Sequence, residues 1–453
     1  MDAQNTPTNL LDRFNNWLQE SITIKLLSIG FLLLMLLIPL SWIDDLIQER
    51  QFRSEEVVMD ITSKWSGRQT ISGPIVVLPY KYREVVKEKG EEPRIVEHIR
   101  HAFFSPNDLN ITGKVEPQVL HRGIYDAAVY ESTLTVNAKW KKEDAIALKI
   151  NGEVLWNEAY MIFGISDLRG ISDNPVIMNG DQKLASEPSN DLGVDYGSGS
   201  LKGLVAKLNW TDYSNFDVPI SLQLKFKGSR GLDFVPLGKT TNVSLEGPWA
   251  NPSFNGEFLP DSRTITEQGF QSQWNVLHYN RPFAQAWLGS RDLSGYDFGV
   301  DLLIPVEQYQ KSMRTSKYGH LVILLSFISL FLVEISQKIK IHPFQYILTG
   351  AALIIYYTML LSFSEQIGYN AAYLISSLST VGLLTLYSRT FLKPAKLVVL
   401  FSSLLTIFYS FIFVIIIQQD FSLLIGSIGL FIVIGAMMYL TRKINWYKNA
   451  TVG

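Results

Sequence analysis

Six long apolar runs, one near the front and five crowded into the last third, constrain this chain more than any other feature. They cover 26–43, 321–333, 344–364, 366–388, 397–419 and 421–441, and none contains Asp, Glu, Lys or Arg. Most approach the roughly 20 residues a helix needs to cross about 30 Å of hydrocarbon. The second is short as a charge-free core, but Tyr318, Gly319 and His320 extend it on one side and Glu334 and Ile335 on the other. The runs therefore predict six transmembrane helices, at 24–43, 318–336, 344–364, 368–388, 397–417 and 421–441. The first is preceded by Lys25, as in a secretory leader, but Pro39, Ser41, Trp42 and Asp44 form no small-x-small cleavage pattern. An uncleaved signal anchor is expected.

Loop charges fix an orientation. Lys338 and Lys340 follow the second run, Arg389, Lys393 and Lys396 follow the fourth, and Arg442, Lys443 and Lys448 follow the sixth. The connections Glu365-Gln366-Ile367-Gly368-Tyr369-Asn370 and Gln418-Gln419-Asp420-Phe421-Ser422 carry no positive charge. Basic and bare loops alternate as six crossings require, which puts both termini (1–23 and 442–453) in the cytoplasm. Residues 44–317 then lie outside, since long segments translocate regardless of charge. Trp42 and Tyr318 mark the outer interface, and Trp446 with Tyr447 the inner one.

The 453-residue chain carries a net charge of −2, so nothing points to nucleic acid. It has no cysteine, which removes disulfides, thiolate metal sites and cysteine nucleophiles together. A large disulfide-free outer domain suits a bacterial envelope. The tripeptides beginning at Asn110, Asn209 and Asn242 match glycosylation sequons, but in such a protein they read as chance matches.

The outer segment starts with a polar helix over 44–67 that continues the first span. Leu46, Ile47, Val57, Val58, Ile61 and Trp65 recur at near-helical spacing, and Gly67 and Ser72-Gly73-Pro74 stop it. Strand signals follow at 75–86, 95–104, 125–140, 218–226 and 296–305. Lys89-Gly90-Glu91-Glu92-Pro93 reads as a hairpin loop. Asn151-Gly152, Asn179-Gly180 and Lys227-Gly228 read as turns, and 191–200 as a Gly/Ser-rich surface loop. The pattern predicts a mainly antiparallel β domain, sandwich-like, inserted after the first transmembrane helix. A helix over 307–317 leads into the second span, so that helical stalks flank the domain at both ends.

Chemistry is scarce. There is no G-x-S-x-G, S-x-x-K, H-E-x-x-H or Walker loop. His98 and His101 sit in a strand-like segment, where i and i+3 face opposite sides. Asp167-Leu168-Arg169-Gly170 reads as a turn held by an Asp–Arg contact. The aromatic, proline-rich stretch 247–260 could recognise glycans but reads better as packing on the sheet. Glu334 and Glu365 are the only ionisable groups near the spans, at opposite faces on this topology, and both read as interfacial. No catalytic, cofactor-binding or metal-binding residue is expected.

Several segments taken together resemble the CreD family of bacterial inner-membrane proteins. They are Ser72-Gly73-Pro74-Ile75, His121-Arg122-Gly123-Ile124-Tyr125, Ser166-Asp167-Leu168-Arg169-Gly170-Ile171 and the run from Pro252 to Pro260. In the membrane half they are Lys317-Tyr318, Glu334, His342-Pro343-Phe344-Gln345-Tyr346 and Leu361-Ser362-Phe363-Ser364-Glu365. The resemblance covers nearly the whole chain beyond the first 20 or so residues. It implies a role in cell-envelope integrity, with expression tied to envelope or nutrient state and in some bacteria to β-lactam response, and it brings no catalytic residues. The expectation is a non-enzymatic protein of that class, partnered by the lipid bilayer and by an envelope protein or cell-wall component. Two rivals are a carrier built on the five closing helices, with Ser362, Ser364, Glu365, Ser376, Ser377 or Ser379 lining a polar cavity, and an outer-domain hydrolase.

Overall fold

A computed structural model describes residues 22–86, 94–304, 307–337, 339–418 and 421–442. The expected hairpin loop at 89–93, Lys338, Trp446, Tyr447 and the rest of the tails at 1–21 and 443–453 lie outside these. The chain divides into two compact units, one of Glu55–Pro305 and one of Met1–Ser54 with Val306–Gly453.

Among the described residues, six helices are long and apolar enough to cross a membrane. The first belongs to α1 (Ile22–Trp65), a single 44-residue helix that carries Pro39 in its interior. Its apolar start and the polar stretch after Asp44 thus belong to one helix. Ile29, Leu32, Leu40, Ile43 and Ile47 recur every three or four residues or at multiples of that spacing, and form the stripe buried in the bundle core. The remaining helices of this unit are α2 (Glu307–Lys317), α3 (Gly319–Gln337), α4 (Pro343–Ile367), α5 (Tyr369–Ser388), α6 (Ala395–Ile417) and α7 (Ser422–Thr441). The helix expected at 307–317 is present. It packs on the bundle, where Thr315 Oγ1 lies 2.6 Å from Tyr369 Oη and Tyr309 Oη donates to Glu365 at 3.1 Å. The last helix is peripheral. It meets the bundle along a narrow seam where Phe411 lies over Gly429, whose missing side chain leaves room for the ring.

The second unit is built on two large sheets. Among the described residues, ten strands form one and eight the other. In the first sheet β1 (Gln69–Val86) is central, pairing parallel with Gly231–Phe234 and antiparallel with Tyr160–Ile165 and β2 (Arg94–Phe104). In the second, β3 (Asp108–Arg122) and β4 (Tyr125–Lys139) form a long hairpin around Gly123, whose φ of +64° suits the first central position of a two-residue turn. Thr240–Gly247 and Gly269–Leu277 extend the sheet past β3, and Ile220–Ser229 extends it past β4. The inner faces share one core. Trp274 of the second sheet packs on Phe298 of the first at 5.6 Å between ring centroids, and Phe254 of the first on Phe270 of the second at 6.2 Å. This is the expected sandwich of mainly antiparallel strands.

Three local readings change. Lys227-Gly228 is not a turn but the interior of a strand. A Cβ on Gly228 would lie 2.3 Å from Tyr130 Oη, so glycine there makes room for a buried ring. Arg230, which takes φ +66°, still donates its amide to Ala128 O at 3.3 Å, and the chain then passes into the first sheet as Gly231–Phe234. The segment 191–200 is no simple surface loop, because Leu192 and Val194 are buried and Asp195–Tyr196 pairs with Gly199–Ser200. Ser72-Gly73-Pro74 does not end the helix, which stops at Trp65, but forms an irregularity within β1.

Candidate functional site

Most of the singled-out polar residues gather in two places, one in each unit. In the β unit they surround the last turns of α1. Asp167 caps a short turn and accepts from Arg169 through both carboxylate oxygens, Nε at 3.0 Å and Nη2 at 2.8 Å. It also accepts from the Gly67 amide at 3.0 Å, while Arg169 Nη1 donates to the Ser63 carbonyl at 3.1 Å. Arg169 and the backbone amides hold the Asp167 carboxyl well below the usual carboxylate range. Gln69, fully buried, donates to Ser66, Asp167 O and Lys227 O, each at 3.0 Å, and accepts from the Asp167 amide at 3.1 Å. Gly170 is hemmed in by Lys227 O at 2.3 Å from any added Cβ, so only glycine fits.

The β3–β4 hairpin tip reaches the same helix. Arg122 pairs with Asp60, whose carboxyl is held below its ordinary range by Lys64 and Arg122 together. His121 lies 2.7 Å from Asp126 beside it. The Trp65 indole donates to Tyr130 O at 3.4 Å, and Lys227 lies over its ring at 4.3 Å. Arg68 bridges Asp233 and Asp301 just beyond, with Nη2 donating to Asp233 at 2.8 Å. The turn expected at Asp167–Gly170 is therefore a clamp that fixes the helix end to both sheets. Each of these groups is engaged by a neighbouring side chain or backbone group.

In the bundle, Glu334 is buried and fully used. It pairs with Lys25 and accepts from the Ile341 amide at 2.8 Å and from Tyr346 Oη at 3.0 Å. The surrounding His342–Tyr346 segment is a helix start. His342 Nδ1 accepts from the Phe344 amide at 3.2 Å, Gln345 Oε1 accepts from the His342 amide at 2.9 Å, and Pro343 takes the first helical position. Glu334 thus ties α1, α3 and α4 together, and reading it as merely interfacial understates its role. Glu365 stands near the other end of α4, 22 residues or ~33 Å on from Pro343.

The proposed cavity residues do not come together. Ser362 and Ser379 are exposed, and Ser364 and Ser376 are packed, with Ser364 bonded back to Leu361 O. Ser377 borders a cavity of about 200 Å³ beside Tyr373 and Tyr409. His98 and His101 share β2, and among the described residues no group of three His, Asp or Glu could hold a metal. The 247–260 stretch packs as expected. Phe254 lies against Trp274 at 5.7 Å, Phe258 against Phe298 at 5.9 Å, and Trp274 Nε1 donates to Phe258 O at 3.1 Å.

These features define a multi-pass membrane protein with a β sandwich inserted after its first span, its distinctive polar residues spent on joints between elements. The chain belongs to the CreD family, whose inner membrane protein CreD model matches residues 21–447. It is 29% identical to the inner membrane protein CreD of Escherichia coli (strain K12) over 427 residues, covering 93% of each chain. Among solved structures, an M1 zinc metallopeptidase from Deinococcus radiodurans aligns at 10% identity with a TM-score of 0.16. That alignment covers 48% of this chain and 53% of the other, and carries no argument.

Proposed function

We propose that this chain is a non-enzymatic inner-membrane protein of the envelope-integrity and stress-response class. Both termini are cytoplasmic, and residues 44–317 are periplasmic, where the β domain engages an envelope protein or cell-wall component. The observation that carries the reading is how the polar residues are used. Asp167, Arg169, Gln69, Arg122 and Glu334 are spent on joints, whereas a hydrolase needs a nucleophile, a base and an oxyanion site converging in one cleft. What the β domain offers instead is broad sheet surface. Alternating basic and bare loops support the orientation.

A deletion strain tests this. It is expected to lose tolerance to detergent, osmotic shock and β-lactams under inducing conditions, and normal tolerance in all three would contradict the reading. The carrier alternative keeps one supporting feature, the hydroxyl of Ser377 at its small cavity. Buried hydroxyls in membrane helices more often serve helix packing.

A further inference from the structure

From Gln366 to Gln419 the sequence holds Arg389, Lys393 and Lys396 and no Asp or Glu. All three cations sit where α5 ends and α6 begins. Arg389 and Lys393 line a cleft of about 700 Å³ between the two helices, a size common for small-molecule sites. No residue lining it is acidic. Among the described residues, no carboxylate pairs with either cation.

The positive-inside rule accounts for cations in this loop. It does not account for the wall beyond them. Along α6 the cleft is lined from Ala395 to Ile407, 12 residues or ~18 Å of helix. One headgroup layer is only about 5–8 Å deep, so the cleft runs from headgroup level into the hydrocarbon. Hydroxyls line it there. Thr385 and Ser402 join α5 to α6 at 2.6 Å, the common packing use of such groups. Ser403 and Thr406 are exposed instead. Thr406 donates back to Ser402 O at 2.9 Å, whereas the Ser403 hydroxyl bonds to no described residue. A hydroxyl without a partner in hydrocarbon costs free energy. Val398, Val399 and Ile407 supply apolar wall beside it.

We infer that this cleft holds an anionic phospholipid, with its phosphate on Arg389 and Lys393, its glycerol esters beside Ser403 and its chains along α6. Basic pockets between transmembrane helices suit anionic headgroups, and three features select this occupant. Two cations with no acid beside them call for an anion. The same lack of an acid leaves nothing to receive the ammonium group of a zwitterionic phosphatidylethanolamine. The depth calls for a lipid, because a soluble anion would use only the mouth of the cleft and leave the valines and Ser403 untouched. An ester carbonyl is the acceptor that the Ser403 hydroxyl needs. The leaflet, cytoplasmic, rests on the orientation proposed above, but binding itself does not.

The test uses the full chain purified in detergent, with phosphatidylglycerol, phosphatidylethanolamine and inorganic phosphate as probes and native mass spectrometry as the readout of retained ligand. Phosphatidylglycerol is expected to bind about tenfold more tightly than phosphatidylethanolamine, and Arg389→Gln with Lys393→Gln to remove that preference. Ser403→Phe fills the cleft without changing its charge. It is expected to weaken phosphatidylglycerol binding by a similar factor, which keeps the inference testable should the double variant not fold. Lys340→Gln, in the basic loop between α3 and α4, is expected to leave binding unchanged. Equal binding of the two lipids, binding left intact by Ser403→Phe, or an equal loss in Lys340→Gln overturns the inference. Inorganic phosphate held as tightly as phosphatidylglycerol would overturn it in favour of a soluble anion. The readout is blind to sidedness, so a reversed topology would change the leaflet alone.

Discussion

Two residues bear the most weight. Asp167 holds α1, the turn after Tyr160–Ile165 and the start of β1 in one set of bonds. Its pKa is depressed in the folded protein, so its contribution is present above the unfolded value, about 3.9, and is lost as pH falls toward the folded value. Asp167→Asn is expected to destabilise the β domain by about 2 kcal/mol at neutral pH. In urea titrations the gap to wild type should narrow below pH 4, and a gap independent of pH would show that the charge is not what matters. Glu334 is the counterpart in the bundle. Glu334→Leu leaves Lys25 without its partner and is expected to cost about 3 kcal/mol. Lys25→Met added to Glu334→Leu should recover part of that loss, because no unpaired cation remains. Thermal unfolding in detergent reads both, and equal losses in single and double variants would exclude the coupling.

Among the elements, the helices were legible from hydropathy alone, since a charge-free run of about 20 residues has few other uses. Ile220–Ser229 was legible from its alternation, Leu222, Leu224 and Phe226 turning inward. β3 was harder to see. It alternates as cleanly, but Asn110, Gly113 and Pro117 interrupt it with residues that read as turn formers. Gly113 lies inward instead, where Leu134 and Leu245 close over it. Gly228 misled for the same reason. Gly228→Ala is expected to cost about 2 kcal/mol or more through overpacking against Tyr130, which chemical denaturation would measure. A neutral effect would mean the ring moves freely. The pairing of Lys25 with Glu334, 309 positions away, could not be read from sequence. Spacing rules report neighbours along a helix, and this contact is set by how three helices pack. Lys25 accordingly looked like nothing more than the flank of a signal anchor.

For the molecule as a whole, the envelope reading depends on which side of the membrane the β domain occupies. Loop charge supplies that orientation, and the absence of cysteine from the chain makes it directly measurable. Single cysteines at Thr112, on the outer sheet face, and at Lys393, between α5 and α6, can be treated in intact cells with a membrane-impermeant maleimide. Thr112→Cys should label without permeabilisation once the reagent passes the outer membrane, and Lys393→Cys only after the inner membrane is opened. Labelling of Lys393→Cys in intact cells, with Thr112→Cys protected, would reverse the topology and contradict the account.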